Sequence, residues 1–98
     1  MRTTMPRLYV HSASQLARVL GVSPSAITQK VYDGLPGPDR LGRWDVGKFL
    51  RRWRAGYLPY PFPRREPTPW LDPAIPLSRD VVDTLVQRAL AEGAFEGE

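Results

Sequence analysis

Seven prolines fall between Pro59 and Pro76, at positions 59, 61, 63, 67, 69, 73 and 76. Each one fixes φ and removes a backbone donor, so neither a helix nor a central strand can run through this stretch. The chain therefore divides into a run before it, 1–56, and a run after it, starting near residue 78. The intervening 57–77 should be extended, stiff and partly polyproline-like. Its aromatics Tyr57, Tyr60, Phe62 and Trp70 argue that it packs along the folded half or onto a neighbouring subunit.

Charge divides at nearly the same place. Residues 1–54 carry ten basic and three acidic side chains, and residues 55–98 carry four basic and seven acidic ones. A basic half joined to an acidic half points to a polyanion partner for the first and a different role for the second. With 98 residues there is room for one domain, or a smaller one with an appendage. A chain this short has little core from which to shape a deep pocket, which favours a binding module over an enzyme.

Several classes are excluded at once. There is no cysteine, hence no disulfide framework, no thiolate zinc site and no Cys nucleophile. His11 is the single histidine and cannot build a metal cluster or a His-based dyad on its own. The glycines punctuate turns and do not form a phosphate-binding loop. No cofactor, no metal and no catalytic residue is therefore expected. No apolar run is long enough to span a membrane, and the N-terminus lacks a signal-peptide hydrophobic stretch, which leads one to expect a cytoplasmic protein with no membrane partner.

Local signals place three helices in the first half. Arg7-Leu8-Tyr9-Val10 has strand composition but is too short to stand alone. Ser12 and Gln15 have capping-box spacing, so a helix should begin near Ala13 with Leu16, Val19 and Leu20 inward, and stop at Gly21. Ser23 is a good N-cap and Pro24 suits N1, so a second helix follows after only Gly21-Val22-Ser23, with Ile27 and Val31 inward and Gly34 as its stop. Small Ala17 faces the crossing, and Val22 plugs the turn. This is the helix-turn-helix pattern, whose purpose is to offer one helix to the major groove. The outward face of the second helix carries Ser25, Thr28, Gln29 and Tyr32, with Lys30 beside them and Ser23 at its cap. Gln pairs well with adenine, and Ser or Thr reaches bases or phosphates.

Leu35–Trp44 is rich in glycine and proline and reads as a loop between two very short strands, a small β-wing tipped by Arg40 and Arg43 for phosphate or minor-groove contact. Asp45 then caps a third helix. Val46, Phe49, Leu50 and Trp53 form its inner stripe, Trp44 and Phe49 its hydrophobic staple, and Lys48, Arg51, Arg52 and Arg54 its outer face.

Ser14 to Trp53, about forty residues, resembles the winged helix-turn-helix of the MerR and excisionase superfamily. Gln15-Leu16-Ala17, Leu20-Gly21-Val22-Ser23, Ile27, Asp33-Gly34-Leu35-Pro36, Gly42-Arg43-Trp44-Asp45 and Trp53 are especially similar to the DNA-binding domain of lambdoid phage small terminase subunits. Gly34-Leu35-Pro36 is the most specific element. The chain departs from that pattern at Lys30, where the family usually has Trp. The resemblance implies a mainly α fold with a β-wing and dimeric binding of double-stranded DNA through the second helix and wing. It leaves packaging, excision and transcriptional control open, because they share the module. A large terminase subunit or a recombinase would be the protein partner in the first two cases.

Ser78 caps a last helix over 78–93, with Leu77 and Val82 at staple spacing and Gly93 as the stop. Val82, Leu85, Val86 and Ala89 form one stripe. A lone helix of this length is marginal unless its stripe is buried, so it must dock on its own domain, on a twin copy or on another protein. The stripe is thus a candidate oligomer or partner interface, followed by an acidic tail at 94–98. The leading expectation is a sequence-specific duplex-DNA-binding protein, homo-oligomeric, with Ser23, Ser25, Thr28, Gln29, Lys30, Tyr32, Arg40, Arg43 and Lys48 at the DNA. The competing one is a protein-interaction adaptor, in which the proline-rich segment and last helix recruit a partner and the winged fold is scaffold.

Overall fold

A computed structural model describes residues 5–56, 68–72 and 74–97. It is mainly helical, with one small antiparallel sheet. The elements, in chain order, are β1 (Leu8–Val10), α1 (Ala13–Leu20), α2 (Pro24–Tyr32), β2 (Trp44–Asp45), α3 (Val46–Gly56), a single 3-10 turn (Pro69–Leu71), α4 (Arg79–Ala91) and β3 (Phe95–Glu96).

The helix ends follow local chemistry. At α1 the Ser12 hydroxyl accepts from the Gln15 N–H at 3.2 Å, while Gln15 Oε1 accepts from the His11 N–H at 2.8 Å. The side-chain amide of Gln15 also donates to the Glu92 carbonyl at 3.0 Å, which ties the start of α1 to the end of α4. Ser23 and Ser78 cap α2 and α4 in the same manner, accepting from Ala26 and Val81. Asp45 caps α3 through the Lys48 N–H at 3.0 Å. These side-chain oxygens satisfy donors that the first helical turn leaves without an intrahelical partner.

β1 is the middle strand of the sheet. It pairs with β2 on one side, Tyr9 opposite Asp45 and Val10 opposite Trp44. On the other side it pairs with β3, Leu8 opposite Glu96 and Tyr9 opposite Phe95. One core joins the four helices, the 3-10 turn and β1. Leu8 and Val10 of β1, Leu16, Val19 and Leu20 of α1, Ile27 of α2 and Val46, Phe49, Leu50 and Trp53 of α3 are buried together with Trp70, Leu71 and the inner face of α4. Phe49 stands edge-on to both Trp44 and Trp53, with centroids 6.3 and 5.8 Å apart, so the aromatic series of α3 is core.

Three expectations from the sequence need correction. First, Val82, Leu85 and Ala89 are buried in this core, and Val86 packs against it. The stripe docks within its own chain, on α1 and the 3-10 turn, which is the first of the three coverings the sequence left open, so these residues do not form the oligomer or partner interface of the other two. Second, the acidic tail at 94–98 is in part structural: Ala94 is buried and Phe95–Glu96 supply β3. Third, no wing hairpin forms within 35–43. β2 begins only at Trp44, and its partner is β1. The same core takes in both 1–56 and 78–93, with α4 packed on α1. In each case the burial of apolar surface against distant chain decides the outcome, and that is a tertiary effect.

Of the proline-rich segment, 57–67 and Pro73 lie outside the described residues, and with them Tyr57, Tyr60 and Phe62. The described part is anchored. Trp70 is buried, and its indole N–H donates to the Leu20 carbonyl at 3.3 Å at the end of α1. Thr68 is also buried, and a Cβ built on Gly21 would lie 2.5 Å from its methyl group. Among the described residues, no helix is long and apolar enough to cross a membrane.

Candidate nucleic-acid interface

The position of α2 is set by the turn that precedes it. Gly21 takes φ +76, and the Val22 N–H reaches back to the Ala17 carbonyl at 2.9 Å. A residue with a Cβ strongly disfavours this left-handed conformation, and here it would also strike Thr68. The tight reversal lays α2 across α1 on the buried residues Ala17, Ala26 and Ile27. At the far end the Leu35 N–H bonds to the Lys30 carbonyl at 3.0 Å, and Leu35 is buried. The chain is thereby turned away from the axis of α2 just beyond Tyr32.

This leaves the opposite side of α2 in solvent. Ser25, Thr28, Gln29 and Tyr32 are all exposed, Tyr32 at 85 %. Thr28 donates its hydroxyl to the Pro24 carbonyl at 3.3 Å, one turn back. Ser23 is exposed as well, with its oxygen engaged as the cap. Lys30 differs from its neighbours. It is half-buried, with its ammonium 5.5 Å from the centre of the Trp53 ring. A cation over an aromatic face is attracted by the ring quadrupole, so Lys30 braces α2 against α3.

The expected tip arginines part company. Arg40 is exposed. Arg43 is held: its Nε donates to Asp39 Oδ2 at 2.8 Å, and its guanidinium lies 4.4 Å from the centre of the Tyr9 ring. Asp39 organises the whole bend. Its Oδ1 accepts from the Leu41 and Arg43 N–H groups at 2.9 and 2.8 Å, and its carbonyl accepts from Gly42 at 3.0 Å. The Arg43 N–H, then the Arg43 side chain and the Leu41 N–H, hold the Asp39 carboxyl below its ordinary value of 3.8. Arg43 is therefore a brace of the loop, and Arg40 is its outward cation.

On α3, Lys48, Arg51 and Arg52 are exposed and form no ion pair among the described residues. Arg54, expected on the same outer face, turns inward and donates to the carbonyls of Asp72 and Ile75. It fastens the chain after the 3-10 turn to α3. Beneath the loop lies an open pocket of about 310 Å³, lined chiefly by Tyr9, Pro36, Arg43, Trp44 and Lys48.

The structure thus brings Ser25, Thr28, Gln29 and Tyr32 together on one face and leaves Arg40 and Lys48 in solvent. It assigns Lys30 and Arg43 to bracing contacts. The sequence reading missed the aromatic bed beneath Arg43 and the exposure of Leu41, which is 75 %. A signal for the bend existed: Asp39 stands in a glycine- and proline-rich run with Gly42 three residues on, a setting in which an aspartate side chain accepts from the N–H groups ahead of it. Comparison with protein-family models, curated proteins and solved structures finds no match to this chain, so its functional reading rests on these residues.

Proposed function

We propose that this chain binds double-stranded DNA as a variant winged helix-turn-helix module, with α2 in the major groove and the 36–43 loop as the wing. The observation that carries the reading is the solvent-facing side of α2, where Ser25, Thr28, Gln29 and Tyr32 stand clear of the core on a helix held from behind by α1. The resemblance of 14–53 to the MerR and excisionase superfamily, and in particular to small terminase DNA-binding domains, supports the same assignment.

In this reading Gln29 offers both an amide donor and a carbonyl acceptor to the edge of adenine, and Ser25 and Thr28 offer hydroxyls to neighbouring bases or phosphates. Arg40, Lys48, Arg51 and Arg52 supply charge to the phosphate backbone, which fixes register without reading sequence. One protomer covers little duplex, so two or more copies on adjacent half-sites are expected for tight binding.

The test is a mobility shift on duplexes selected from a random pool. Gln29→Ala should lose sequence preference while retaining salt-sensitive binding. Arg40→Ala should weaken binding to all sequences alike. With about four phosphates neutralised, the log–log dependence of affinity on salt should have a slope of roughly −3.6. A flat salt response, or no duplex retained at low salt, would overturn the proposal.

A further inference from the structure

We propose that Leu41 is an apolar wedge, inserted by the 36–43 loop into a base step from the minor groove so that the bound duplex is kinked. The inference rests on the DNA-binding reading above and adds to it a deformation of the DNA and the residue that causes it.

Isolated apolar side chains are ordinary on protein surfaces. Leu41 is set apart by the backbone beneath it. The carboxylate of Asp39 takes the N–H groups of Leu41 and Arg43, its carbonyl takes that of Gly42, and its own N–H closes onto the Arg43 carbonyl at 2.8 Å. The turn from Asp39 to Arg43 is therefore closed on itself by the N–H groups of Asp39, Leu41, Gly42 and Arg43. Arg43 locks it from below by bonding Asp39 Oδ2 and lying on the Tyr9 ring, and Tyr9 belongs to the middle strand of the sheet. The side chain of Leu41 is presented at 75 % exposure on a stiff support joined to the core.

A wedge needs this arrangement. Parting two stacked bases costs free energy, and a loose loop would yield before the stack did. Leucine is among the side chains that proteins insert between base steps in this way. The charge beside it fits the same occupant. Arg40 precedes Leu41 and is exposed, so it can meet the phosphates that flank an opened step. A single leucine next to an exposed cation makes a poor centre for a protein–protein contact, where charged residues are depleted.

The test measures energy transfer between fluorophores at the two ends of a short duplex selected from a random pool. Bound parent protein should draw the ends together, with a kink within the range of about 20–90° typical of wedge proteins. Leu41→Ala should still shift the duplex but lose most of the end-to-end change. Asp39→Ala keeps the leucine but opens its support, and removes a negative charge. It should bind at least as tightly as the parent while bending the DNA less. Both positions are at the surface, and a parent-like circular-dichroism spectrum with a cooperative thermal transition in each free variant would show that the fold is retained. If Leu41→Ala bends the duplex as the parent does, the wedge is refuted and the binding reading stands. If the parent binds without bending, the outcome is the same. If Leu41→Ala instead changes the sedimentation of the free protein and leaves the bend alone, Leu41 is a contact between copies and the wedge is refuted. No duplex binding by the parent refutes both proposals.

Discussion

Replacing Leu85 by alanine tests whether α4 completes the core of its own chain. Leu85 is fully buried in the cluster shared by α1, α3 and the 3-10 turn. The substitution removes three carbon atoms, worth about 2.4 kcal/mol at about 0.8 kcal/mol per buried methylene. The void left behind raises the cost toward about 3–5 kcal/mol where the surroundings do not collapse. Small domains are stable by only about 5–15 kcal/mol, so this is a large fraction of the total. Each kcal/mol moves the melting temperature of a domain this size by about 4–8 °C, and the expected fall is roughly 10–40 °C. The assay is thermal and urea unfolding followed by circular dichroism at two protein concentrations about a hundredfold apart. Leu90→Ala is the control, because Leu90 lies on the same helix but is 46 % exposed, and a surface change of this kind is worth within about 0.5 kcal/mol. Docking in cis requires that the loss from Leu85→Ala be the same at both concentrations. If Leu85→Ala unfolds with the parent, Leu85 is not in the core described here, and if its loss appears only at the concentration where the parent self-associates, α4 is held by a second molecule.

Two further outcomes follow from particular contacts. Gly21→Ala forces a Cβ onto a φ of +76 and against the Thr68 methyl, so it should destabilise by at least about 1–2 kcal/mol from the backbone term alone. Pairing it with Thr68→Ser, which removes that methyl, should recover part of the loss in a double-mutant cycle, and strict additivity would show that the contact is absent. The Asp39 carboxyl should titrate below its ordinary 3.8 because the folded loop stabilises its charged form. A depressed value means that the contribution is present above the unfolded pKa and is lost as pH falls through the folded one. The amide signals of Leu41 and Arg43 in a nuclear magnetic resonance titration should therefore move together at that lower pH, and movement at or above 3.8 would contradict the turn.

What the sequence reveals by itself is the local structure. Ser12, Ser23, Asp45 and Ser78 each bond an N–H three residues ahead, and Gly21, Gly34 and Gly93 follow helix ends, so start and stop chemistry lies within a few residues of itself. The inward stripes of α1, α2 and α3 follow from their period, and so does the candidate face on α2, whereas Arg54 of α3 is turned inward by the carbonyls of Asp72 and Ile75. Other features have no local signature. A strand of two residues shows no alternation, and β3 exists because β1, more than eighty positions earlier, offers it an open edge and Ala94 a place in the core. The stripe of α4 announced only that it must be covered; the cover, α1 with Trp70 and Leu71, is a matter of packing. Lys30 and Arg43 looked like cations for a polyanion, and only folding set Trp53 beneath one and Tyr9 beneath the other. Short-range hydrogen bonds can be read along the chain because their partners are fixed by covalent geometry, whereas burial depends on which distant surfaces meet, and that is settled in three dimensions.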